Sequence, residues 1–225
     1  MKDSLIYKKY KKKFSYKSLS YEKNSLKSDY YSFFIIIPIY NEKDYLFDTL
    51  DTIKNQSIGL LSQTLTILVI NDSNKCSKDI IQNNYKTHQK INRNKYNFEY
   101  IVLDYYSREN ALHEKNFGVG LARKIGMDFA LNYAHNNSLL FCLDADTLIS
   151  KNYLKIIVQY YKKYNFQVST VNFKHQESLD PIINKGIRIY EDGLKSMANK
   201  IEYCKSPYGY VSMGSTIVCN AISYI

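Results

Sequence analysis

The chain has 225 residues, 45% of them hydrophobic, which favours one globular domain with a sizeable core over a disordered protein. Its formal net charge of +10 suits an anionic partner, such as a phosphate-bearing ligand. No apolar run approaches the ~20 residues that span a bilayer, and lysines follow the amino terminus, so neither a membrane helix nor a secretory signal is expected. The four cysteines lack C-x-x-C spacing, which indicates a reduced, cytoplasmic setting.

Residues 1–30 are polar, basic and serine-rich, and they predict a tail or loose helix ahead of a single domain at 31–225. Lysines and aromatic residues are interleaved over 7–14. That composition is typical of a segment lying on an anionic membrane surface or on nucleic acid, although a solvated tail has it too. Of these partners we favour a peripheral contact at the inner face of the membrane, and we expect no nucleic acid.

From residue 33 onward, apolar runs alternate with stretches of helical periodicity. The predicted strands are 33–38, 65–70, 98–103, 139–143 and 167–173. The predicted helices are 42–53, one between 76 and 96, one reaching about 133, 154–164 and 187–198. This alternation predicts an α/β fold with a mainly parallel sheet and right-handed crossovers.

Polar side chains follow four of these strands, at 40–42, Asp72, Asp104 and 144–146. Because the carboxyl ends of parallel strands meet at one edge of a sheet, these side chains should form one site. Asp144 and Asp146, one residue apart after an apolar run, can hold Mg²⁺ or Mn²⁺. The alternative is a pair of solvated turn acids.

Four motifs, in this order, resemble those of family 2 glycosyltransferases. They are P-x-Y-N-E at 38–42, the segment at 69–73, G-x-x-x-A-R at 118–123 with a glycine at 126, and L-D-A-D at 143–146. The resemblance implies a GT-A fold and an inverting, metal-assisted hexosyl transfer from a nucleotide-diphospho-sugar, with a UDP-sugar favoured. The acceptor would be a saccharide, a lipid-linked molecule or a protein, in polysaccharide or cell-envelope biosynthesis.

The resemblance also implies roles for individual residues. Its donor-binding residues would be Pro38, Tyr40, Glu42, Asp72, Arg123, Asp144 and Ala145. Asp72 would hydrogen-bond the base, with capping of the next helix as the alternative. Arg123 would support the diphosphate or the acids of the site, unless it is a helix-surface arginine. Asp146, with Asp144, would bind the Mg²⁺ or Mn²⁺ that neutralises the leaving diphosphate.

The chain departs from the family pattern in two places. Lys124 stands where the family usually has Asn. The Glu-Asp motif that supplies the usual catalytic base is expected beyond Ile225, so the base is unknown. Glu191 with its neighbour Asp192 is a weaker candidate than a solvated helix face, and His175 could reach the metal or diphosphate unless it is an ordinary surface or core histidine. The alternative function is a non-catalytic nucleotide-sugar-binding module or an inactive truncated copy.

Two other enzyme classes fit poorly. A nucleotidyltransferase would need a glycine-rich loop after its first strand, where residues 40–43 contain no glycine. A Rossmann dehydrogenase would need a third glycine at the proper spacing after Gly118 and Gly120, in the first helix of the fold.

Overall fold

The computed structural model describes residues 4–16 and 26–225. Its strands are β1 (Tyr31–Ile39), β2 (Thr64–Asn71), β3 (Glu99–Tyr105), β4 (Ala134–Cys142), β5 (Val168–Thr170) and β6 (Ile217–Asn220). Its helices are α1 (Leu5–Lys13), α2 (Leu46–Lys54), α3 (Ile58–Leu61), α4 (Lys78–Arg93), α5 (Val119–Ala130), α6 (Tyr153–Tyr164), α7 (Pro181–Tyr203) and α8 (Ala221–Tyr224).

The strands form one six-stranded sheet in the order β3-β2-β1-β4-β6-β5. β1 pairs in parallel with β2 and β4, and β2 pairs in parallel with β3. β6 runs antiparallel to both β4 and β5. The predicted α/β fold with a mainly parallel sheet is therefore confirmed.

Each face of the sheet carries its own core, because successive side chains of a strand point to opposite faces. Phe34 and Ile36 of β1 pack with α1, α5 and α8, whereas Ile35 and Ile37 pack with α2, α4 and α6. Both faces of β1 and β2 are covered, which explains their almost uninterrupted apolar sequences. The loops at the carboxyl edge are thus built on a rigid, buried support.

The N-terminal helix α1 is docked on the domain. The Ser4 side chain accepts a hydrogen bond from Tyr7 N and caps the helix. Tyr7 and Tyr10 are buried in the core on the α5 face. Leu5–Lys13 is thus a helix that packs on the domain through two tyrosines, whose burial the sequence periodicity did not reveal. Residues 1–3 and 17–25 of the predicted N-terminal segment lie outside the described residues, and the domain division stays a prediction.

Some element boundaries differ from the predicted ones. α2 begins at Leu46 and not at residue 42, because Asn41 adopts a left-handed conformation with φ 59° that turns the chain away from β1. β5 has only three residues and pairs with β6 at one edge of the sheet. α7 extends over 23 residues and is capped by Asp180, which accepts from Ile182 N. In the described part of the chain, no helix is both long and apolar enough to cross a bilayer.

Candidate functional site

A cavity of about 350 Å³ opens at the carboxyl edge of β1, β2 and β4. Most of the residues predicted for the site line it. The lining residues are Pro38, Tyr40, Glu42, Asn71, Phe117, Val119, Asp144, Ala145 and Asp146. The parallel order β2-β1-β4 brings these segments together, as the shared-edge prediction requires.

The Asp144–Asp146 loop is fixed to the domain through its backbone. The carbonyl oxygen of Ala145, which is buried, accepts from Thr49 Oγ1 at 2.8 Å. The carbonyl oxygen of Asp146 accepts from Gln176 Nε2 at 3.1 Å. Because the backbone is held on both sides, the two carboxylates keep a defined position at the cavity wall.

Arg123 lies against the Asp144 carboxylate. Its guanidinium forms an ion pair with Asp144 Oδ1 through Nη2, and the Arg123 side chain is 18% exposed. The Nε atom of Arg123 is buried and has no hydrogen-bond partner among the described residues. On the other side, a Cβ atom at Gly214 would collide with the guanidinium. Arg123 is therefore largely buried and paired with Asp144, and its predicted role in the site stays a prediction.

The cavity carries excess negative charge. Burial raises the pKa of the Glu42 carboxyl, and the nearby carboxylates of Asp146 and Asp144 raise it further. The Asp146 carboxylate forms no ion pair with any described residue. Within residues 4–16 and 26–225, no three His, Cys, Asp or Glu side chains form a metal site by themselves. Two hard carboxylates still fit Mg²⁺ or Mn²⁺, because such ions complete their shell with phosphate oxygens and water.

Two of the acids predicted for the shared edge do not line this cavity. Asp72 is fully buried, and its carboxylate accepts from Ser73 N at 2.7 Å and from Asn84 Nδ2 at 3.2 Å. It does not cap the next helix either, since Ser77 does so. Asp104 closes its own turn by accepting from the backbone N–H groups at positions 106 and 107.

Asn71 is a cavity residue that sequence reasoning did not select. Its Nδ2 donates to the Ile39 carbonyl oxygen at 2.9 Å. Its Oδ1 is buried and has no hydrogen-bond partner among the described residues. Since a buried acceptor without a partner costs free energy, this oxygen is a candidate for bonding to a ligand. The sequence feature that could have identified Asn71 is a polar residue at the end of a buried strand.

Aromatic rings form another wall of the cavity. The ring centroids of Tyr40 and Phe117 lie 5.0 Å apart, and the Tyr40 hydroxyl lies 3.7 Å from Cys76 Sγ. Burial and this contact raise the pKa of Tyr40 to about 12, so its hydroxyl is neutral at physiological pH. Phe117 precedes Gly118, whose φ of +147° favours glycine at the start of α5.

A second cavity, of about 610 Å³, adjoins the first and shares Asp144 and Asp146 with it. Two further polar residues on its wall are Tyr153 and His175. The Tyr153 hydroxyl is buried without a partner among the described residues. His175 Nδ1 lies 2.9 Å from Glu191 Oε1, and bonding to the backbone and side chain of His175 lowers the pKa of Glu191. Glu191 is therefore a buried anchor for His175, not part of a solvated helix face.

A family profile described as glycosyl transferase family 2 matches residues 34–215, which contain the first cavity and, apart from Thr216, the lining of the second. The chain belongs to this family. Membership confirms the resemblance carried by the four motifs and the α/β fold of GT-A type. It makes this region a family 2 glycosyltransferase domain.

Two relatives illustrate the match. Over 145 residues the chain is 28% identical to the minor teichoic acid biosynthesis protein GgaB of Bacillus subtilis (strain 168), covering 64% of this chain and 14% of GgaB. A crystal structure of S. aureus TarS 1–349 is 21% identical over 65% of this chain and 38% of that chain, with a TM-score of 0.44. TarS 1–349 in complex with UDP matches with a TM-score of 0.43 at 20% identity, over 65% of this chain and 38% of that chain. The chain thus spans well under half the length of either relative.

Proposed function

We propose that this domain binds a nucleotide-diphospho-sugar, with a UDP-sugar favoured, in the first cavity and serves an inverting hexosyl transfer to an acceptor hydroxyl. The observation that carries the proposal is the convergence of Asp144, Asp146 and Glu42 with an aromatic wall in one cavity. Membership in family 2 supports the same reaction.

Base recognition rests on Asn71 in this proposal. Its unpartnered Oδ1 accepts the ring N–H of the base, a donor that uracil carries. Asp72 contributes indirectly, because its carboxylate orders the turn after β2 by accepting a hydrogen bond from Ser73 N. The base lies against Tyr40 and Phe117, whose rings offer apolar area. This assignment shifts the predicted contact with the base from Asp72 to its neighbour.

The charged end of the donor lies at Asp144 and Asp146. These residues would hold Mg²⁺ or Mn²⁺, which would supply positive charge to stabilise a leaving diphosphate. Arg123 fixes the orientation of Asp144. Burial is the larger cause of the raised pKa of Glu42, but Asp146 and Asp144 raise it further, and a cation would offset the negative charge of these carboxylates.

The acceptor hydroxyl approaches through the second cavity, on the far side of the two aspartates. The Tyr153 hydroxyl and His175 offer polar contacts to such a group. The teichoic acid biosynthesis named for GgaB supports a role in building a cell-envelope polymer. The acceptor class stays a saccharide, a lipid-linked molecule or a protein.

Calorimetry with UDP, UDP-sugars and GDP-sugars, with and without Mn²⁺, tests the proposal. The wild type is expected to bind UDP more tightly with Mn²⁺ present. Asn71→Ala should lose roughly tenfold in affinity, the value of one hydrogen bond. The matched control is Asn136→Ala, because Asn136 is exposed near the amino end of β4. A folded wild type that binds no nucleotide would contradict the proposal, and donor binding without hydrolysis or transfer would favour the non-catalytic module.

A further inference from the structure

Helix α1 presents four exposed lysines on the side opposite its buried tyrosines. Tyr7 and Tyr10 pack into the core, three residues apart on one side of the helix. The lysine face is defined as the exposed residues Lys8, Lys9, Lys12 and Lys13. Since helix neighbours are three and four positions apart, these lysines form one continuous basic surface.

The orientation of this helix is fixed by a buried carboxylate, Asp128 of α5. Asp128 accepts from Tyr10 Oη at 2.7 Å and from Tyr16 N at 2.7 Å. It also accepts from Lys124 Nζ at 2.8 Å and from Tyr224 Oη at 2.9 Å. Rolling α1 about its axis would remove the Tyr10 hydroxyl from a buried charge, which is costly. The lysines are therefore held outward.

The lysine face is electrostatically unbalanced. None of its four residues forms an ion pair or hydrogen bond with a described side chain, whereas Lys11 donates to Asn132 Oδ1 at 3.1 Å. The first turn of α1 contains no acidic residue. Two apolar side chains, Leu5 and Ile6, are 82% and 60% exposed at the start of the same helix.

We propose that the lysine face of α1 docks the domain on an anionic lipid surface. Charge complementarity selects an anionic partner, and the adjacent exposed Leu5 and Ile6 select a lipid one. Apolar side chains are stabilised at the boundary between headgroups and acyl chains, but they gain nothing from nucleic-acid phosphates. α1 also lacks the Arg, Asn and Gln side chains that read base edges.

The docked tyrosines determine how such binding would behave. In a free amphipathic helix the aromatic face would enter the lipid, but here Tyr7 and Tyr10 belong to the protein core. Attachment therefore depends on the lysines, and it should weaken strongly with salt. Donor binding and lipid binding use separate surfaces, so either can fail without the other.

The test is flotation of the full chain with vesicles of phosphatidylcholine with or without phosphatidylglycerol. Lys8→Ala with Lys12→Ala is expected to weaken binding to the anionic vesicles about 30-fold, from the roughly fivefold contribution of each lysine near such a surface. The matched control is Lys78→Ala with Lys86→Ala, because these exposed lysines lie on α4 over the opposite sheet face. It removes the same charge and should change binding by less than about twofold.

Three results would overturn the proposal. The first is equal binding to neutral and anionic vesicles, and the second is an equal loss of vesicle binding in the α4 control. The third is binding to a DNA duplex through the α1 lysines, without binding to vesicles. UDP calorimetry on the α1 variant separates the two proposals, because its affinity for UDP should equal that of the wild type.

Discussion

At the scale of single residues, Arg123 owes its position to a glycine in another element. Gly214 lies in the 3-10 turn before β6, where a Cβ atom would occupy the space of the guanidinium. Gly214→Ala is therefore expected to push the guanidinium of Arg123 from Asp144 and to lower the free energy of unfolding by about 1 kcal/mol, because the cost is a lost hydrogen bond of a flexible side chain. Urea unfolding measures the change.

The matched control for this substitution is Gly186→Ala on α7, where an added Cβ meets nothing within 4 Å. That change should stabilise by up to about 1 kcal/mol, because alanine is the better helix former. Equal unfolding free energies for the two variants would contradict the idea that Gly214 makes room for Arg123.

Glu42 gives a prediction with a defined pH dependence. Its pKa in the folded state is raised above 4.5 by burial and by Asp146 and Asp144, so ionisation of Glu42 opposes folding. This unfavourable contribution develops as the pH rises through the raised pKa, and it is complete above it. Glu42→Gln is expected to stabilise the ligand-free protein near neutral pH and to lose that advantage in acid.

Denaturant unfolding at neutral and acidic pH measures the Glu42 effect. The control is Glu109→Gln, at an exposed position. A Glu42→Gln variant that is less stable than the wild type at neutral pH would show that burial of the Glu42 charge and repulsion from its neighbours do not dominate. The same variant should bind a divalent ion more weakly, because a carboxylate next to the ion is lost.

The sequence allowed the Asp144–Asp146 pair to be located, because an apolar run followed by two acids specifies a strand end. It did not allow the choice between Asn71 and Asp72. Both are polar residues at the end of β2, and successive side chains point to opposite sides of a strand. Which side meets the cavity depends on the packing of α4 and the loop before α5, which single-sequence patterns do not encode.

At the scale of elements, α5 approaches the sheet through Gly126. A Cβ atom there would lie 2.5 Å from Ile36 Cγ2 and 3.1 Å from Val69 Cγ2. Gly126→Ala is thus expected to lower the free energy of unfolding by about 1–3 kcal/mol through overpacking. Gly120→Ala, on the same helix with nothing within 4 Å, should instead stabilise by up to about 1 kcal/mol. Opposite signs in urea unfolding would support the close approach, and equal signs would contradict it.

The central elements were predictable because burial on both faces leaves a strong apolar signal in β1, β2 and β4. The antiparallel pairing of β6 was not. β6 runs antiparallel to β4 and β5 through pairings between residues far apart in the chain, such as Leu139 with Asn220 and Val168 with Cys219, which are 81 and 51 positions apart. A four-residue strand contains too little periodicity to indicate its partners.

At the scale of the whole molecule, ligand binding should appear as a change in thermal stability. A ligand that binds only the folded state at about 100 times its Kd stabilises by about 2.7 kcal/mol. The Tm is expected to rise as the concentrations of UDP and Mn²⁺ increase. EDTA should remove the share of this rise in Tm that depends on the metal. Differential scanning fluorimetry measures both effects. An unchanged Tm at saturating UDP and Mn²⁺ would contradict donor binding.

The wall shared by the two cavities has a consequence for inhibitor design. Asp144 and Asp146 line both spaces, so fragments bound in each would contact the same two side chains. Joining two weak fragments by a short linker makes the second binding event intramolecular, at an effective concentration in the mM range. A linked compound with a cationic centre facing the two carboxylates could therefore exceed the affinity of either fragment by about two orders of magnitude or more.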